Sequence, residues 1–147
     1  MPRAQGRVLG IDLGTVRIGL ALTDPLGLTA QPAGVLRRQG LKRDLVSLAT
    51  YVRDHGVERV VVGHPRRLSG EVGREATRAE AFARRLQEAL GGLPVELRDE
   101  RLTTAEAQRT LLAADVSRSR RREVVDAMAA ALILQGWIDA RPGEVER

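Results

Sequence analysis

The sequence predicts a single α/β domain, and three observations carry that prediction. Residues 7–13 and 17–23 are short apolar runs joined by the polar stretch Gly14-Thr15-Val16-Arg17, the pattern of a β-hairpin. Val60-Val61-Val62, ahead of Gly63-His64-Pro65, has the continuous apolar character of a strand buried on both faces, as in a parallel region covered by helices. Between and after these strands, apolar residues recur at helical spacing. At 147 residues the chain has the size of one ordinary domain, which buries about two-thirds of the surface its unfolded form exposes.

Taken in order, the first two strands make the chain turn directly beside Asp12. A third strand is expected around Gln31 to Arg37, its limits blurred by Pro25, Gly27, Pro32 and Gly34. Leu41, Leu45, Leu48, Ala49 and Val52 mark a helix that Gly56 ends. The valine strand follows, then a polar loop from Leu68 to Gly73. Ala79, Phe82, Ala83, Leu86 and Leu90 mark a second helix, closed by Gly91-Gly92. Pro94-Val95-Glu96-Leu97-Arg98 alternates as a strand does. Thr103-Thr104-Ala105-Glu106 matches a capping box, in which threonine and glutamate satisfy orphan donors at a helix start, so Glu100 falls at a strand-to-helix junction. From about Arg121 to Ile138 the chain reads as a helix apolar nearly all round, its alanines permitting close approach to another element. Asp126, Ala130 and Ile133 share a stripe, which points Asp126 inward.

Composition excludes several chemistries. There is no cysteine, hence no disulfide, thiolate zinc site or cysteine nucleophile, which suits a reducing cytosol. The N-terminus lacks an apolar core of signal-peptide length and no segment approaches the ~18 apolar residues of a membrane span, so a soluble intracellular protein that does not engage a membrane is expected. Net charge is +5 and the isoelectric point about 11.0, yet Lys42 is the only lysine among 24 basic residues. Arginine's planar fork grips phosphate bidentately, which invites a nucleic-acid reading. A coding preference for arginine would be explanation enough for the overall ratio, so the clusters carry more weight: Arg37-Arg38, Arg66-Arg67, Arg84-Arg85 and Arg118-Ser119-Arg120-Arg121-Arg122.

Three acids in apolar settings carry the chemical argument. Asp12 lies inside the strand Val8 to Leu13, Glu100 in Arg98-Asp99-Glu100-Arg101-Leu102, and Asp126 in Val124-Val125-Asp126-Ala127-Met128. An ionised carboxylate in apolar surroundings is costly unless paired, hydrogen-bonded or bound to metal. Each could instead cap a helix or pair with arginine, and for Glu100 that bland explanation stands well. Together they suggest one site for a hard divalent cation, Mg2+ or Mn2+, which prefers oxygen ligands. Two such ions about 3.5 to 4 Å apart can activate water and stabilise the leaving oxygen in phosphodiester hydrolysis. No G-x-S-x-G elbow, Walker loop or dinucleotide fingerprint is present. Trp137, Phe82 and Tyr51 fit packing positions, so base stacking is not the main mode of binding. His64 could assist a proton transfer but has no local partner in sequence, and His55 suits a helix C-terminus.

Four separated segments resemble the YqgF/RuvX-like nucleases. They are Gly10 to Thr15 with Arg17-Ile18-Gly19, Val61-Val62-Gly63 with Pro65, Asp99 to Thr104, and Asp126 with Ala129-Ala130 and Ile133-Leu134-Gln135. The resemblance spans nearly the whole chain. It implies a ribonuclease H-like fold, a mixed sheet flanked by helices, which would occupy residues 1–139, the segment 140–147 itself reading as a flexible tail. It implies Asp12, Glu100 and Asp126 as a catalytic, metal-binding triad. It further implies a bacterial cytoplasmic protein that processes the 5′ end of pre-16S ribosomal RNA or resolves Holliday junctions. Val16 stands where the family often has lysine, and Arg67 where it often has a polar amide. RuvC-type resolvases carry an acid near the end of the strand corresponding to Val60 to Val62, where this chain has Gly63 and His64.

The expectation is a metal-dependent endonuclease acting on pre-rRNA or branched DNA. Arg17, Arg66, Arg67, Arg101, Arg118, Arg120, Arg121 and Arg122 would hold nucleic acid. A homodimer would suit paired junction cuts. Two competitors remain: an actin-like phosphotransferase, suggested by Gly10 to Thr15, and a noncatalytic RNA-binding module associated with the ribosome.

Overall fold

The computed structural model describes residues 6–66, 73–101 and 118–141, and for residues 65, 66, 100, 101, 118 and 119 the backbone alone. The expected hairpin forms from β1 (Arg7–Leu13) and β2 (Arg17–Thr23), antiparallel with Asp12 opposite Gly19. β3 (Ala30–Arg37) extends it along the outer edge of β2, where Pro32 is tolerated because an edge strand has one side without a ladder. Between β2 and β3, Asp24 Oδ1 accepts the Leu28 and Thr29 amides at 2.7 and 2.9 Å; these contacts, that from Thr29 foremost, hold its carboxyl below the usual range.

α1 (Leu41–Asp54) returns the chain to β4 (Val57–Arg66), which lies parallel to β1. Gly56, at φ +63°, supplies the left-handed residue that ends the helix. α2 (Arg74–Ala89) leads to β5 (Val95–Arg101), parallel to β4. The described strands make a mixed five-stranded sheet in the order β3-β2-β1-β4-β5.

Alternation along the strands divides the core. Leu9, Ile11, Ile18, Leu20, Val60 and Val62 pack against Leu45, Leu48 and Val52 of α1 and Phe82 and Leu86 of α2. Ala21 and Val61 face the other way, onto Ala130, Ala131, Ile133 and Leu134 of α3 (Arg118–Asp139). Burying a Leu, Ile or Phe side chain is worth about 1.5 to 3 kcal/mol, so this two-sided packing dominates the stability of the sheet. α3 crosses the sheet obliquely, with Leu134 over Gly10, Ile133 over Gly63 and Gly136 beside Arg98 of β5.

Two strands outrun their expected limits. β4 continues through Gly63, His64 and Pro65 rather than yielding to a loop, because β5 pairs with it as far as Arg66 opposite Arg101. Its pairing with β1 stops at Val62, so Pro65 lies where β4 has a neighbour on one side only. Glu100 accordingly lies within β5, opposite Pro65, and not beyond the strand. The Leu68–Val72 part of the polar loop and the capping box at Thr103 to Glu106 lie outside the described residues. Ala140 and Arg141 close α3 through amides donated to Gly136 and Ile138, and the tail beyond them is also outside the description.

Candidate metal and nucleic-acid site

Gly19 is where the two described acids of the expected triad meet. Asp12 is its direct cross-strand partner, and cross-strand partners present their side chains to the same face. A Cβ on Gly19 would lie 2.0 Å from the Asp126 carbonyl oxygen, so the α3 backbone presses onto that face at Asp126. Any larger residue at position 19 would push the helix, and the second acid with it, away from Asp12. The half-buried Asp12 and Asp126 thus converge from a strand and a helix 114 residues apart in sequence.

The third member of this cluster is Arg17, two residues before Gly19 on the same face of β2. Its Nε donates to Asp126 Oδ2 at 2.8 Å, with 17% and 24% of the two side chains exposed. The turn that places Arg17 is tight: the Gly14 amide donates to the Arg17 carbonyl at 3.0 Å, and a Cβ on Gly14 would lie 2.4 Å from that oxygen. The bulk at position 14, like that at 19, is therefore fixed by the geometry of the acid site.

Glu100 takes its place by backbone register alone. It lies at the carboxyl-terminal end of β5, on the edge of the sheet at which the parallel strand β1 ends after Asp12. Its side chain lies outside the described residues, and among those residues no group of three His, Asp or Glu side chains forms a metal cluster. Arg120 and Arg122 are exposed on the opening turns of α3 and Arg121 is half-buried. For Arg66, Arg101 and Arg118 only the backbone is described, and Arg67 falls outside the description.

The histidines prove to be structural. His64 is 5% exposed and faces α2, where its Nε2 lies 2.8 Å from Glu80 Oε2. It alternates with Gly63, which faces α3, so it looks away from Asp12 and Asp126; the expected possibility of proton transfer at the acid site is corrected by this orientation. His55 sits at the end of α1, its Nδ1 2.9 Å from the Tyr51 carbonyl, as expected of a C-terminal position.

Two polar groups of the structure leave little trace in the sequence. Asp44 is the most buried charged side chain described, 1% exposed, and accepts from Arg38 Nε at 2.8 Å and the Gln39 amide at 2.9 Å. Its one sequence signal is a position in the first turns of α1, four residues after Gly40. Arg98 has a buried Nε without a hydrogen-bond partner and packs beside Gly136; nothing in the sequence marks it. Trp137 is partly buried against the α3-side core, has the Arg59 and Arg141 guanidinium groups near its ring and donates to Glu96, in keeping with a packing role.

Comparison with known proteins agrees with this architecture. Solved structures of similar fold include T. thermophilus RuvC in complex with Holliday junction substrate (TM-score 0.56, 16% identity, 92% of this chain and 98% of that one). Fowlpox virus resolvase with substrate Holliday junction DNA is another (TM-score 0.51, 8% identity, 91% and 97%). At such identities the likeness establishes the fold, which is ribonuclease H-like as expected. Proteins named "Putative pre-16S rRNA nuclease" are far closer: that of Moorella thermoacetica is 53% identical over 133 residues, 90% of this chain and 94% of its own length. That of Myxococcus xanthus is 52% identical over 141 residues, 95% and 93%. The family model described as "RuvX: Holliday junction resolvase" matches residues 6–140, and the chain belongs to the RuvX family of nucleases.

Proposed function

We propose that the chain is a divalent-metal-dependent endonuclease that cuts phosphodiester bonds in structured nucleic acid, with 5′-end processing of pre-16S rRNA as its task. The observation that carries this reading is the convergence of Asp12 and Asp126 on Gly19. The donor set fits a hard cation: carboxylate oxygens, no thiolate, and a histidine turned to the opposite face. Asp12, Asp126 and Glu100 would hold the ion. Mg2+ or Mn2+ bound there supplies activation of water and stabilisation of the leaving oxygen.

The remaining work falls to the protein. Asp12 and Asp126 fix where the reacting phosphate sits, because they are anchored to a sheet and a helix that Gly19 lets touch. Arg17 places a positive charge within the same half-buried patch. Arg118, Arg120, Arg121 and Arg122, with Arg66, Arg67 and Arg101, draw the phosphate backbone towards it, which offsets the repulsion between a polyanion and three acids. No helix among the described residues is long and apolar enough to cross a membrane, and the bacterial relatives support a cytoplasmic site of action.

The names of the relatives at about half identity support the rRNA substrate. The description of the family model supports a second reading, resolution of four-way DNA junctions, in which a homodimer would make two symmetric cuts. The same preparation should be offered precursor 16S RNA and a four-way junction, each with Mg2+, Mn2+ and chelator. Metal-dependent cleavage of the RNA at its 5′ side, with the junction left whole, is the expected result. Symmetric junction cleavage alone would establish the second reading, and cleavage persisting in chelator would remove the metal.

A further inference from the structure

Arg17 and Asp126 form a half-engaged pair. One hydrogen bond, Nε to Oδ2, joins them, and among the described residues neither Oδ1 of Asp126 nor the terminal nitrogens of Arg17 take another. Those atoms are not among the buried groups left unpaired, so they face solvent. A structural pair in this protein looks different: Arg38 uses Nε on Asp44 and a terminal nitrogen on the Gly14 carbonyl, while Asp44 takes a backbone amide with its second oxygen. Arg17 therefore holds one oxygen of an acid that the nuclease reading needs as a cation ligand, and keeps free the forked end that suits a phosphate.

We infer that Arg17 is a positioning residue that trades Asp126 for a substrate phosphate, and so couples cation binding to nucleic-acid binding. This rests on the proposed metal-dependent reading. Without nucleic acid, Arg17 neutralises Asp126, and the site's affinity for a divalent ion is low because like charges would crowd one carboxylate. A phosphate at the site offers Arg17 a bidentate, charge-assisted partner. Arg17 then leaves Asp126 Oδ2, and the whole carboxylate becomes available as a ligand. By linkage, whatever factor nucleic acid adds to ion affinity, the ion adds to nucleic-acid affinity. An enzyme surrounded by RNA would thus load its ion on the substrate strand.

The test measures binding, not turnover. Mn2+ is titrated calorimetrically into the parent protein, Arg17→Gln, Asp12→Asn and Glu100→Gln. Duplex affinity is read by fluorescence anisotropy with a nuclease-resistant phosphorothioate duplex, in Mn2+ and in chelator at constant ionic strength. Arg17→Gln is expected to bind Mn2+ about tenfold more tightly than the parent, within the usual range of site coupling. In the parent, Mn2+ should tighten duplex binding by a similar factor, and in Arg17→Gln that gain should vanish. A purely structural arginine predicts no gain, since Asp126 would lose its support and bind Mn2+ no better or more weakly. Equal Mn2+ affinity in parent and Arg17→Gln overturns the exchange. So does a parent whose duplex affinity ignores Mn2+, a measurement that stands even if Arg17→Gln fails to fold. If Asp12→Asn and Glu100→Gln still abolish Mn2+ binding in either case, the metal reading survives and this inference alone falls. If they leave Mn2+ binding intact, the metal reading falls and takes this inference with it.

Discussion

Asp44 and Asp126 are both helical carboxylates paired to the Nε of an arginine at 2.8 Å, yet they sit on opposite faces of one sheet in opposite states of completion. On the α1–α2 face, Asp44 is 1% exposed and both its oxygens are satisfied, one by Arg38 and one by the Gln39 amide. On the α3 face, Asp126 is about a quarter exposed and has one oxygen engaged. A carboxylate whose hydrogen bonds are complete is closed to ligands, and removing its partner leaves an uncompensated buried charge. A carboxylate left half-satisfied at the surface tolerates exchange of its partner. Under the proposed reading, degree of burial ranks these two acids in the reverse of their order at the site.

The comparison breaks if the two acids respond alike to neutralisation. Asp126→Asn, and likewise Asp12→Asn, is expected to lower cleavage of the preferred substrate by ~100-fold or more, since the amide keeps the volume and loses ligand charge. Thermal unfolding should stay close to the parent in both, and most nucleic-acid affinity should survive. Wild-type cleavage by either purified variant would take that residue out of the metal site.

Asp44→Ala should do the converse. It leaves Arg38 charged beside the Gly14 turn and the Gln39 amide without its acceptor, a loss of about 3 kcal/mol in stability by denaturant titration. Specific activity of the folded fraction should remain that of the parent. A collapse of activity without a loss of stability would show that the α1–α2 face reaches the acid site, and the division drawn between the faces would not hold.

Gly19→Ala sharpens the contrast by changing distance without charge. Its Cβ meets α3 backbone, so the helix must move, at a cost of about 2 kcal/mol by analogy with other overpacked sites. Cleavage should fall well beyond what the remaining folded fraction explains, because Asp126 moves with the helix. At Gly34, where φ is +100° and a Cβ meets open space, alanine should cost about 1 kcal/mol of backbone strain and leave cleavage intact.

These expectations also mark what the sequence could reveal. Period-2 and period-3.6 patterns placed the hairpin, the valine strand and the helices within a few residues, since burial on one or both faces leaves a direct trace in composition. Strand ends were less legible: β4 runs past Pro65 because β5 is there to pair with it, a fact of topology that no local residue carries. Asp12 and Asp126 stood out because each interrupts an apolar run. Asp44 did not, because Arg43 and Lys42 beside it give the ordinary look of a solvated first turn. The Arg17–Asp126 pair spans 109 positions, and its only trace was the glycine two residues on, whose bulk the fold forbids.

The smallest effect concerns the arginines that open α3. The first turn of this helix holds no acid, and Arg120 is exposed there, where the helix dipole favours negative charge; Arg122 is exposed at the start of the second turn. Position and dipole therefore disagree, at about 0.3 kcal/mol for Arg120. A residue kept against its local electrostatics is explained if phosphate supplies the missing anion. Arg120→Gln with Arg122→Gln should then raise stability by about 0.3 kcal/mol, from Arg120, while weakening nucleic-acid binding and lowering the salt slope by about two units, one per phosphate contact. Cleavage at saturating substrate should barely change, in contrast to Asp126→Asn. A gain in stability with an unaltered salt slope would make these arginines a solvated surface and move the phosphate path towards Arg66, Arg67 and Arg101.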